Sequence, residues 1–87
     1  MEEAREVISC QIIFYPLETA DIKEPVKEVL DIIKSVNLEE INIGSTATTL
    51  KGDREKIYNL LNKISATMDK KDMKYALSLN ISNSCGC

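Results

Sequence analysis

The sequence predicts one α+β domain, a four-stranded antiparallel sheet with two helices on one of its faces. Three observations carry this. The chain has 87 residues, the length of one small domain. Its apolar residues alternate with period two in four stretches and recur at helical spacing in two. Those stretches fall in the order strand, helix, strand, strand, helix, strand, and right-handed crossovers then bring both helices to the same side of one sheet.

The first strand, residues 7–17 (VISCQIIFYPL), organises the rest. It is rich in β-branched and aromatic residues and is closed by Pro16, which cannot donate to a ladder. Ile8, Cys10, Ile12 and Phe14 share one face; Val7, Ser9, Gln11, Ile13 and Tyr15 share the other. The first set reads as core. The second sets an amide amid apolar neighbours, and a buried amide without partners costs about 1–3 kcal/mol. Gln11 is therefore satisfied across strands, or it faces a ligand or a subunit.

A short connection over residues 18–20 follows. Asp21 with Glu24 three positions on resembles a capping box, and Pro25 suits a first helical turn. Ile22, Val26, Val29, Ile33 and Val36, with Leu30 beside them, make an apolar stripe that stops near Asn37. Residues 40–45 (EINIGS) alternate as a second strand, with a turn or bulge at Gly44 and Ser45. The β-branched run 46–51 (TATTLK) reads as a third strand that Gly52 breaks, and Asp53 caps the next helix. That helix buries Ile57, Leu60, Leu61, Ile64 and Met68. In the fourth strand, residues 73–83, Leu77, Leu79 and Ile81 face the helices, while Ala76, Ser78, Asn80 and Ser82 face away. The arrangement is the ferredoxin-like βαββαβ plait, a single domain over residues 1–87. Its core spans about 7–83, with a cysteine-containing tail at 84–87. The face turned from the helices reads as small, semi-polar and uncharged. A solvated face normally carries Lys and Glu, so this one is expected to pack against something.

Composition narrows the function. The net charge is −3, with basic residues scattered among acids, which argues against nucleic acid and anionic membranes. The acidic start lacks a signal peptide and no apolar run reaches transmembrane length. Three cysteines without an export signal fit a reducing cytoplasm. There is no histidine, which removes the commonest general base and zinc ligand. No nucleophile–base spacing stands out, so the chain is read as non-enzymatic, without metal or cofactor. Cys85 and Cys87 are too few to close a zinc site, and Cys10 is most simply a small core residue.

Three stretches then resemble a family. ISCQIIFYPL at 8–17, STATTLKGD at 45–53 and a last strand running into SCGC are similar to the YkoF-like thiamine/hydroxymethylpyrimidine-binding proteins. The resemblance implies plait domains paired through their sheets, with thiamine or its pyrimidine moiety held between them. A single copy implies a homodimer or homotetramer built through the open sheet face. Carried over by position, Gln11, Tyr15 and Thr48 match the family pattern, with Thr49 and Asn80 as nearby polar candidates. Alternation sets Thr48 on the side of Leu50, the core side, unless a bulge changes the phase. An aminopyrimidine offers acceptors and a donor that a Gln amide can answer, and Tyr15 could stack on a ring. Each residue also has a purely structural reading: Gln11 satisfied between strands, Tyr15 packing a strand end, the threonines chosen for β-propensity, the polar row an interface. The competing functional reading is a protein-interaction or thiol/metal-handling module on the same fold.

Overall fold

The computed structural model describes residues 7–83. The elements are β1 (Val7–Pro16), α1 (Lys23–Lys34), β2 (Glu40–Ile43), β3 (Thr48–Asp53), α2 (Arg54–Lys70) and β4 (Tyr75–Ser82). They form one antiparallel sheet in the order β2-β3-β1-β4. Both helices lie on one face, so the ferredoxin-like plait is the observed fold. The cysteines Cys85 and Cys87 lie outside the described residues.

The core is the layer between sheet and helices. β1 contributes Ile8, Cys10 and Ile12, β3 contributes Leu50, α1 contributes Val29, Ile32 and Ile33, and α2 its whole predicted stripe of Ile57, Leu60, Leu61, Ile64 and Met68. α2 starts where Asp53 accepts hydrogen bonds from the backbone N–H groups of Glu55 and Lys56, at 3.1 and 3.2 Å, which satisfies two of the helix's orphan donors. Asp21 does the same for α1, accepting from the N–H groups of Lys23 and Glu24 at 3.1 and 3.4 Å.

Several expectations are corrected. Ile22 lies outside the α1 stripe and is exposed, while Pro25 and Ile32 are buried. Gly52 does not break β3. It sits buried inside the strand, opposite Ile8, where an added Cβ would come within 2.9 Å of Leu38 Cδ2. The α1–β2 connection crosses the strand closely there, so a larger residue would push the Leu38 side chain aside. Pro16 ends β1 from within. The Leu17 N–H donates to Lys74 C=O at 2.9 Å, in the register that pairs Pro16 with Tyr75. Bonded pairs alternate along the ladder, so the missing donor of Pro16 points toward β3, whose pairing with β1 stops at Ile12.

The fourth strand departs most. Leu79 and Ile81 face the helix side as expected, yet they are 43% and 37% exposed. The helices pack mainly over β1 and β3; on the outer strand β4 they cover Tyr75, which meets Ser65 of α2, and Leu77, and leave Leu79 and Ile81 uncovered.

Candidate functional site

The five residues singled out in the sequence divide between the two faces of the sheet. Four are on the open face. Direct cross-strand pairing aligns Asn42, Thr49, Gln11 and Asn80 in one row across all four strands. Every member of the row is exposed. The side chains of Gln11, Thr49 and Asn80 make no hydrogen bonds among the described residues, while Asn42 Nδ2 donates to Glu40 Oε2 at 3.1 Å. Tyr15 stands two positions along β1 from Ile13, opposite Ala76, and is 47% exposed. This face is less free of charge than β1 and β4 alone imply. Glu40 and Lys51 enter it beside Ser9, at the end away from Tyr15.

Thr48 is on the other face. It pairs with Ile12 and Ile43, in phase with Leu50, and is 7% exposed. It lines a half-open cavity of about 160 Å³ at the end of the sheet. Ile12 and Phe14 form the floor, Val26, Val29, Leu30 and Ile33 of α1 one wall, and the β2–β3 hairpin the rim. The hairpin closes on a bond from the Gly44 N–H to Ala47 C=O at 2.8 Å. Gly44, Ser45, Thr46 and Ala47 are small residues spanning the gap above α1, which is why the space stays open.

The electrostatics of this cavity are simple. No ionisable residue lines it. Among the described residues the Thr48 hydroxyl has no hydrogen-bond partner. Among those residues no fully buried side-chain oxygen or nitrogen lacks one, so the Thr48 oxygen keeps some exposed surface, on a residue that lines the cavity. Phe14 is held from behind. Its ring stacks on Tyr75 with centroids 6.1 Å apart and 23° between planes, and the Tyr75 hydroxyl shares a 2.5 Å hydrogen bond with Ser65 Oγ. The cavity thus joins a fixed aromatic wall, an aliphatic wall and one hydroxyl that can donate and accept. Nearby, burial raises the Cys10 thiol above its usual range, the mark of a dry interior and of an unreactive sulfur.

Sequence reasoning reached Thr48 through family resemblance alone, while its phase with Leu50 set it on the core side, where the structure has it. It did not reach Phe14, Val26, Leu30 or the hairpin as walls of a cavity. The available signal was a run of four small residues facing a helix stripe. Among the described residues, no group of three His, Cys, Asp or Glu could hold a metal ion, and no helix is long and apolar enough to cross a membrane.

The described residues thus form a ferredoxin-like plait with a half-open cavity lined by uncharged residues. The chain belongs to the YkoF-related family, whose model matches residues 7–87. Among solved structures it is similar to a Thermotoga maritima protein provisionally assigned to thiamine biosynthesis or salvage. That match has 20% identity and a TM-score of 0.78, and covers 92% of this chain and 86% of the other. A hypothetical protein from Methanocaldococcus jannascii is alike at 20% identity and TM-score 0.76, covering 94% and 84%. A domain of unknown function from Bacillus cereus is alike at 13% and 0.78, covering 94% and 80%. At these identities the likeness is one of fold. No curated protein sequence matches the chain significantly.

Proposed function

We propose that the chain is a non-catalytic, cytoplasmic binding protein for thiamine or its hydroxymethylpyrimidine moiety, without a cofactor of its own, acting as a homo-oligomer closed through the open sheet face. Family membership supports the ligand class. The observation that carries the reading is the unpartnered, nearly buried Thr48 hydroxyl at the edge of a cavity of about 160 Å³. Apolar cavities of about 150 Å³ hold one six-membered aromatic ring.

The pyrimidine is the half of thiamine that suits this space. It is neutral, flat and aromatic, so it can lie against Phe14 and the α1 aliphatics. A ring nitrogen or the exocyclic amine meets the Thr48 hydroxyl, and the remaining substituents leave past the hairpin. The thiazolium carries a fixed positive charge, and no carboxylate lines the cavity to offset its desolvation. It stays at the mouth.

A second reading keeps the ligand between the open face and a partner subunit, read by Gln11, Thr49 and Asn80 with Tyr15 on a ring. The cross-strand row favours it, because three unpaired polar side chains point the same way. In that case the pocket forms only on assembly.

Calorimetric titration with thiamine, with hydroxymethylpyrimidine and with the thiazole alone tests the function. Saturable binding of the first two at about one site per subunit, with none of the third, supports it. No heat from any of them, together with an unshifted melting temperature, refutes it.

A further inference from the structure

The sheet supports Phe14 on one side only. The pairing of β1 with β3 stops at Ile12, so no β3 residue lies opposite Phe14, and that side opens on the cavity. On the other side β1 pairs with β4, Phe14 with Leu77 and Pro16 with Tyr75. Tyr75 is therefore the diagonal neighbour of Phe14 on the same face, a separation that aromatic side chains bridge. The two rings stack at 6.1 Å and 23°. A phenylalanine side chain carries no polar group to fix its rotamer, so what packs against it decides.

Tyr75 is itself held at both ends. It opens β4 directly after a connection tied down by two backbone bonds: the Met73 N–H donates to Met68 C=O, and the Leu17 N–H to Lys74 C=O, each at 2.9 Å. At the far end of the side chain, the hydroxyl shares its 2.5 Å bond with Ser65 Oγ of α2, a part-buried contact. Stacking alone lets a ring slide; the hydroxyl bond fixes the tip.

We propose, on the reading that the cavity is the ligand site, that Tyr75 anchored by Ser65 is a positioning residue that sets the depth of that site and so the class of ligand it takes: single six-membered rings, with fused two-ring heterocycles shut out. Support runs from Ser65 to Tyr75 to Phe14, and only Phe14 lines the cavity. With Tyr75 in place Phe14 is a fixed wall, and the space stays at about 160 Å³, room for one ring. With Tyr75 cut back, Phe14 turns into the vacated volume and the cavity deepens.

The chain has one phenylalanine, so NMR of the full chain labelled at phenylalanine reports Phe14 alone. The same samples are then titrated calorimetrically with hydroxymethylpyrimidine and with a fused-ring analogue, aminoquinazoline. In the wild type the Phe14 signals should be displaced by the Tyr75 ring current, and only the single-ring compound should bind. Ser65→Ala should move those signals toward free phenylalanine and weaken hydroxymethylpyrimidine binding about threefold to tenfold, the effect of one hydrogen bond. Ser65→Thr, which keeps a hydroxyl, should restore both. Tyr75→Ala should bind hydroxymethylpyrimidine at least ~tenfold more weakly, because a wall is lost, and should gain binding of aminoquinazoline, which loss of stability alone does not produce. Unmoved Phe14 signals in Ser65→Ala beside intact hydroxymethylpyrimidine binding would overturn the positioning alone. A wild type that takes aminoquinazoline, or a Tyr75→Ala chain with native circular dichroism that still refuses it, would overturn the size limit. A wild type that binds neither compound would overturn the ligand reading and the size limit with it.

Discussion

The open face and the helix-side cavity both present polar groups, in opposite surroundings. Gln11, Thr49 and Asn80 stand exposed in a row, where each hydrogen bond to a ligand replaces one to water and nets about 1 kcal/mol or less. Thr48 stands 7% exposed among aliphatic side chains, its hydroxyl without a partner among the described residues. A single bond there fixes orientation, while the walls supply the burial. The open face needs another subunit before it can enclose anything; the cavity offers about 160 Å³ within one chain. Polar residues in plain view are the easier ones to nominate from a sequence, and the half-hidden one makes the better site.

The comparison can be broken at its strongest point by filling the cavity. Val26→Phe adds a ring to the α1 wall at the place the ligand would occupy. Titration should show at least a ~100-fold loss of hydroxymethylpyrimidine affinity, about 2.7 kcal/mol, with the melting temperature held or raised because a void is filled. Undiminished binding would move the ligand out of the cavity. Removing only the hydroxyl is gentler. Thr48→Val keeps the shape and should weaken binding about tenfold, while Gln11→Leu should change it by no more than about twofold. The reverse ranking would favour the open face. Third, thiamine and hydroxymethylpyrimidine should bind within about threefold of each other, since the cationic half stays in water; a much larger preference for thiamine would call for a carboxylate near the ligand. The smallest effect tests how dry the helix side is. The Cys10 thiol is raised by burial, so the folded state holds its proton beyond the point where the unfolded chain releases it. Its contribution is complete below about pH 8.5 and declines as pH rises from there through the folded-state value. Denaturant melts between pH 7.5 and 10.5 should lose less stability in Cys10→Ala than in wild type.

Much of the fold was legible in residue periodicity. Alternation in β1 separated Ile8, Cys10 and Ile12 from Ser9 and Gln11, and the α2 stripe was read without error, because both patterns follow from backbone geometry alone. What alternation omits is how far the second layer extends. It sends Leu79 and Ile81 to the helix side but does not reveal that helix cover reaches only the first part of β4, at Tyr75 and Leu77. Nor does it show that Gly52 lies against Leu38, a contact between separate parts of the chain. For the candidate site, the phase of Thr48 with Leu50 was visible, and the void beside it was not. A cavity is what four small hairpin residues and one helix fail to fill together, and no single stretch encodes it.

The location of the ligand is the central claim, and amide NMR spectra recorded during addition of hydroxymethylpyrimidine test it most directly. The account predicts that the signals of Ser45, Thr46 and Leu30 move while those of Ser78 and Asn80 stay in place. Shifts concentrated at Ser78 and Asn80, with the hairpin and α1 unmoved, would contradict it.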